Sequence, residues 1–234
     1  MRAALVGASD FNAAHFAQER FDLVVAVDGG FASLQAAGAA PDIVVGDFDS
    51  LGYVPEAVDV RRFPPEKDES DMELACRIAR ESGADMLVLY GCLGRRLDHT
   101  LANIQVMLRQ VRAGMRVLAV GDEYALAMLH AADGQPAVLS FETVPLEAFN
   151  TGSYGYYLSA FALGGPATGV YERGLKYPLD DATVPDDVSL GLSNEFTGAP
   201  ASVEVGNGSL VVTFPLAAWP AMNMVRNSPG ITHR

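Results

Sequence analysis

The chain has 234 residues, of which 50% are hydrophobic and 19% charged, and its formal net charge is −13. That is enough apolar material for one large core or two modest ones, and bulk disorder is excluded. A surface this acidic repels phosphate backbones and anionic lipid headgroups, so neither nucleic acid nor a membrane is expected as a partner. Nucleotides stay open to it, because a divalent cation can sit between carboxylates and phosphates.

The N-terminal run Ala3–Val6 is broken by Gly7, Ser9 and Asp10. It reads as a first strand entering a turn rather than as a signal-peptide core, and no stretch approaches the ~18 apolar residues of a membrane span. Further short apolar runs follow at Leu23–Val27, Ile43–Val45, Met86–Tyr90 and Val117–Val120. Runs of that length suit parallel strands covered on both faces. Between them lie amphipathic segments, and Leu97, Leu101, Ile104, Leu108 and Val111 predict a helix with those residues on one face. Alternating strand and helix predicts an α/β domain, a Rossmann-like mostly parallel sheet with helices on both faces, over residues 1–133.

Beyond residue 133 the texture changes: Gly, Pro and Thr become frequent and the apolar segments shorten to Val138–Phe141, Tyr156–Ala162, Ala201–Val205 and Leu210–Phe214. This predicts a C-terminal antiparallel β-sandwich over 134–221, with a hairpin at Asn207-Gly208 and a loose tail over 222–234. The two cysteines, Cys76 and Cys92, form no CxxC pair and read as reduced, buried thiols of a cytoplasmic protein.

Four strings carry chemistry. Gly46-Asp47-Phe48-Asp49-Ser50 directly follows a strand. In extended chain Asp47 and Asp49 point to one side, and two hard oxygen ligands suit Mg²⁺; the competing reading is an exposed turn. Val27-Asp28-Gly29-Gly30 also follows a strand, and its glycines permit close backbone approach to a ligand or simply make a strand-to-helix turn. In Lys67-Asp68-Glu69-Ser70-Asp71-Met72-Glu73, Ser70 and Glu73 form a capping box, with Asp71 in the first helical turn and Lys67 placed for phosphate. Gly91 to Asn103 is a Gly-rich strand-to-helix loop with Arg95 and Arg96; in it Asp98 is an N-cap or a metal ligand, and His99 a base or a structural residue. All four follow strands or open helices, so an α/β sheet gathers them along one edge. Convergence of Asp28, Asp47, Asp49, Asp71 and Asp98 requires a divalent cation to offset their repulsion, which points to phosphoryl transfer with Mg²⁺ and a nucleotide.

These strings resemble the thiamine pyrophosphokinase family: VDGG at 27–30, PDIVVGDFDSL at 41–51, KDESD at 67–71, GRRLDHTLANI at 94–104, GLKYPLDDAT at 174–183 and LSNEFTG at 192–198. The resemblance spans roughly residues 22–214 in order. It implies transfer of the pyrophosphoryl group of ATP to the hydroxyl of thiamine, giving thiamine diphosphate and AMP, in a homodimer whose cleft lies at the subunit interface. By position it implies Asp47, Asp49 and Asp71 as metal ligands. It implies Asp28, Gly29, Gly30, Lys67, Ser70, Arg96 and His99 at ATP, Asp71, Asp98 and Arg96 in catalysis, and Ser193 and Asn194 at thiamine. The chain departs from the family in having Ser70 where threonine is common and Arg95 where glycine is common, and the stretch 141–157 fits it poorly. The alternatives are a pyrophosphokinase for another alcohol such as a hydroxymethylpterin, a DxD glycosyltransferase, and a non-catalytic nucleotide or thiamine sensor.

Overall fold

The computed structural model describes residues 1–48, 53, 59–64, 68–149 and 154–225. The chain forms two compact units, Met1–Asp122 and Glu123–Arg234.

The first unit runs β1 (Arg2–Val6), α1 (Ala13–Gln18), β2 (Leu23–Val27), α2 (Gly30–Ala36), β3 (Ile43–Gly46), β4 (Asp59–Arg62), α3 (Asp71–Glu81), β5 (Met86–Tyr90), α4 (Leu97–Arg112) and β6 (Arg116–Val120). Its strands are parallel in the order β6-β5-β1-β2-β3-β4. Consecutive residues of β1, β5 and β6 are buried, which requires cover on both faces. The strand order reverses between β1 and β5, and such a switch point is where open α/β sheets bind ligands.

The switch point is built by close backbone approach. The Gly7 N–H donates to the Tyr90 carbonyl at 2.8 Å, and a Cβ on Gly91 would stand 2.2 Å from the Gly7 oxygen. A Cβ on Gly30, at the start of α2, would stand 1.8 Å from the Val6 oxygen. Behind this edge His15, Tyr90, Phe11, Phe16 and Phe21 pack as an aromatic cluster, with His15 Nδ1 2.9 Å from the Tyr90 hydroxyl. Cys76 and Cys92 are buried and unbonded.

The second unit is antiparallel. It comprises β7 (Tyr124–Ala131), β8 (Ala137–Phe141), a 3₁₀ turn (Leu146–Phe149), β9 (Tyr157–Ala162), β10 (Ala167–Arg173), β11 (Leu179–Val184), β12 (Gly191–Glu195), β13 (Ala201–Val205), β14 (Gly208–Pro215), a second 3₁₀ turn (Leu216–Ala221) and β15 (Met222–Val225). Strands pair as β12-β9-β14-β7 and as β11-β10-β13-β8-β15. Phe141 of β8 meets Phe214 of β14 at 5.1 Å and Phe196 at 5.1 Å, so aromatic rings join the two sets.

Four sequence expectations change. The structure divides at Asp122/Glu123, ahead of residue 133, because β7 pairs along its length with β14 of the second unit. Asn207-Gly208 closes no hairpin: β13 pairs with β8 and β10 while β14 pairs with β7 and β9, so the turn carries the chain from one set to the other, tied to Thr168 by two backbone hydrogen bonds. Met222–Val225, expected as tail, pairs with β8. On α4 the buried residues are Val106, Met107, Gln110 and Val111, whereas Leu97 is 71% and Leu101 56% exposed. The helix's first two turns project beyond the core, so the apolar repeat does not mark a core face there. No helix among the described residues is long and apolar enough to cross a membrane.

Candidate active site

The acidic strand ends meet through their backbones. Val27 is in register with Val45, so Asp28 and Asp47 emerge from neighbouring strands at the same edge. The Asp28 N–H donates to the Val45 carbonyl at 2.7 Å, and a Cβ on Gly46 would stand 3.1 Å from Asp28 Cα. Asp28 (φ 48) and Phe48 (φ 65) both occupy the left-handed region. For a bulky residue this is a strained conformation of the kind that gathers at functional sites. Phe48 is buried, and its turn ends the extended geometry on which the same-side placement of Asp47 and Asp49 depended. Asp49 and Lys67 lie outside the described residues.

At the start of α3 the predicted capping box is present. The Ser70 N–H donates to Glu73 Oε2 at 2.9 Å and the Glu73 N–H to Ser70 Oγ at 3.3 Å. Glu73 Oε1 also accepts from Arg109 of α4 at 3.1 Å. The box places Asp71 at the first helical position, where the helix dipole favours an anion. Met72 Cε lies 3.3 Å from where a Cβ on Gly7 would stand, so this turn reaches the same sheet edge.

The loop from β5 into α4 is clasped by the loop after β1. Ser9 Oγ donates to the Leu93 carbonyl at 2.7 Å, and Arg95 Nε to Asp10 Oδ1 at 2.9 Å. Asn103 Nδ2 donates to the Cys92 carbonyl at 2.7 Å from within α4. Arg95 takes φ 43 where the family commonly has glycine. The N-cap of α4 is Arg96 rather than Asp98. Arg96 reaches forward to Asp98 with contacts of 3.2 and 2.6 Å, and this hydrogen bond pulls the Asp98 carboxyl down to about 2. His99 is exposed in the same turn.

Asp98 is therefore partnered by Arg96 instead of joining the other aspartates. Among the described residues no group of three acidic, His or Cys side chains stands close enough to enclose a metal ion. The donors still fit Mg²⁺, which typically takes one or two carboxylates and completes its shell with phosphate oxygens and water. Asp28, Asp47 and Asp71 are hard oxygen donors at the switch-point edge.

In the second unit the strings GLKYP and SNEFTG lie side by side. Leu175 bridges Phe196, the Lys176 N–H donates to the Glu195 carbonyl at 3.0 Å, and Lys176 Nζ pairs with Glu195. A register shift in β12 between Gly191 and Asn194 forms a bulge, with Ser193 at φ 56 and exposed. Such bulges re-aim side chains. Asn194 is different: it is 3% exposed, and its Oδ1 accepts from the N–H groups of Tyr177 and Glu195, both at 2.9 Å. Its Nδ2 donates to the Tyr177 carbonyl at 2.7 Å and to Glu172 at 2.5 Å. That side chain has no capacity left for a ligand. Glu172 was missed in the sequence, since a lone Glu in an alternating strand reads as solvent-facing.

Five of the six non-glycine residues with positive φ among the described residues, Asp28, Phe48, Arg95, Asp181 and Ser193, fall inside the strings quoted above. Comparison with known proteins agrees with them. Residues 15–119 match the family described as "Thiamin pyrophosphokinase, catalytic domain", and residues 146–210 match "Thiamin pyrophosphokinase, vitamin B1 binding domain". The thiamine pyrophosphokinase of Bacillus subtilis is 25% identical over 196 residues, covering 81% of this chain and 86% of that protein. A crystal structure of the B. subtilis enzyme superposes with a TM-score of 0.76 at 22% identity, covering 92% of this chain and 99% of that one. A crystal structure of the Geobacillus thermodenitrificans thiamin pyrophosphokinase gives 0.71 at 25% identity, covering 92% and 97%. With both of its domains matched in order, the chain belongs to the thiamine pyrophosphokinase family.

Proposed function

We propose that this chain is an ATP-dependent diphosphotransferase that moves the pyrophosphoryl group of ATP onto thiamine with the help of Mg²⁺. The observation that carries the reading is the continuous edge Asp47–Asp28–Gly30–Gly7–Gly91 across the switch point, acidic at one end and leading at the other into the loop that bears the Arg96–Asp98 pair.

The thiamine hydroxyl oxygen forms a bond to the β-phosphorus of ATP, the bond from that phosphorus to the oxygen bridging it to the α-phosphorus breaks, and AMP leaves. When bound, Mg²⁺ supplies charge neutralisation on the phosphate oxygens. Asp47, Asp49 and Asp71 are the residues to hold it, with Asp28 beside them. Gly29, Gly30 and Ser70 border the nucleotide, and Lys67, Arg96 and His99 stand on the phosphate side. The hydroxyl proton goes to a carboxylate. Asp98, held at about 2 by Arg96, is a weak base at neutral pH, and Asp71 is the other acidic residue that the resemblance offers for the proton. Asp98 instead holds Arg96 toward the phosphates. Ser193, on its bulge, contacts thiamine, and Asn194 shapes that contact from beneath. We also infer a homodimer, for which the exposed Leu97 and Leu101 offer apolar surface, and a cytoplasmic setting, in keeping with two unbonded cysteines.

The test is mass-spectrometric detection of thiamine diphosphate and AMP from purified protein, Mg-ATP and thiamine. Release of ADP, or turnover with a hydroxymethylpterin in place of thiamine, refutes the reading; tight binding of both ligands without turnover establishes a sensor instead.

A further inference from the structure

The second unit buries one carboxyl group for which the reaction has no use. Glu172 of β10 is 1% exposed. Its Oε2 accepts from Asn194 Nδ2, and its Oε1 is buried without a hydrogen-bond partner among the described residues. Burial pushes the carboxyl above its usual range. Leaving a carboxyl oxygen unsatisfied in a core is destabilising, and an apolar side chain of similar volume would pack there at lower cost. Polar groups retained in such places can serve to specify one arrangement.

The arrangement specified is visible in the contacts. Glu172 lies on the strand set β11-β10-β13-β8-β15, and Asn194 on the set β12-β9-β14-β7, so their hydrogen bond crosses the core. Asn194 spends its other three bonds on the backbone N–H and carbonyl of Tyr177 and on the N–H of Glu195. Ser193 adjoins it, with its own N–H donated to Ser159 Oγ at 2.9 Å. One buried side chain thus joins β10, the segment before β11 and the bulge of β12.

We propose that Glu172 is a positioning residue for thiamine: acting through Asn194, it holds Tyr177 and Ser193 in the register that receives the vitamin. The proposal rests on the thiamine reading above. Formation of thiamine diphosphate and AMP by the wild-type protein tests that reading separately.

Three variants test the proposal. Glu172→Gln can still accept from Asn194 but buries an unsatisfied amide; it should melt earlier yet keep its KM for thiamine within about twofold of wild type. Glu172→Leu keeps the volume and loses the acceptor; its KM for thiamine should rise about tenfold or more while the KM for ATP stays within about twofold. Should the leucine variant not fold, Glu172→Asp, one methylene short of Asn194, should raise the thiamine KM several-fold in the same selective way. An unchanged thiamine KM in the folded leucine variant, or failing that in the aspartate variant, overturns the proposal. So does a parallel rise in both KM values, which general loosening would produce, or a tenfold rise in the glutamine variant.

Discussion

At the scale of single residues, the pairing of Arg96 with Asp98 assigns roles that the bare string GRRLDH leaves open. A carboxylate pulled to about 2 stays ionised throughout the working pH range, so it orients its partner and is poorly suited to take a proton. Asp71→Asn, which removes a proposed Mg²⁺ ligand, should lower kcat by orders of magnitude with the fold intact by circular dichroism. Asp98→Asn should act mainly on the KM for ATP. Arg96→Ala should cost about 100-fold in kcat/KM for ATP, of the order expected for a phosphate-clamping group. Arg95→Gly should stay within about threefold, because it trades an exposed ion pair worth little for relief of a left-handed backbone. A loss in Arg95→Gly as large as in Arg96→Ala, in steady-state assays with ATP varied, would reverse the assignment of the two arginines.

At the scale of elements, the capping box both starts α3 and sets Asp71 in place. Ser70→Ala removes the side-chain acceptor for the Glu73 N–H and should lower stability by about 1 kcal/mol. Ser70→Thr keeps the hydroxyl and should be neutral in urea titrations. Because Asp71 is the next residue, the alanine variant should also lose activity several-fold, whereas a cap with no link to the site would change stability alone. Helix α4 shows how an element's sequence can mislead. Its apolar repeat continues past the core, and only burial separates Val106, Met107 and Val111 from Leu97 and Leu101.

At the scale of the whole molecule, stability should depend on pH through His15. Burial in the aromatic cluster lowers its pKa, chiefly by desolvation, so the folded protein favours the neutral ring. The unfolded chain binds the proton near the ordinary value of ~6.5. The stabilisation is complete above that pH and is lost as pH falls from there toward the lowered folded value. Urea midpoints should drop between about pH 7.5 and 5.5, and His15→Gln should flatten that slope. A slope equal in wild type and variant would exclude His15 as the source. The packing of α2 against β1 is a second global requirement. Gly30→Ala places a methyl within 1.8 Å of the Val6 oxygen, so little soluble protein is expected.

Much of this protein is readable along the chain, because its first half follows a local grammar. Short apolar runs must pair to bury themselves, a turn follows each, and the residues proposed for the site sit in or after those turns, so VDGG, KDESD, GRRLDH and the start of GDFDS are expected along one edge, where the structure has Asp28, Asp47 and the first turn of α3. The second half resisted, because a strand's partner is set by contacts distant in the chain. Asn207-Gly208 has the residues of a hairpin turn and yet changes sheets, and Met222–Val225 becomes a strand only because β8 offers an edge. Side-chain roles followed the same division. Which turns share the carboxyl edge of the sheet was a matter of pattern. Whether Asp98 grips Arg96, or Asn194 has a hydrogen bond to spare, was settled by distances and burial, since a polar group serves a ligand only with what the fold has not already spent.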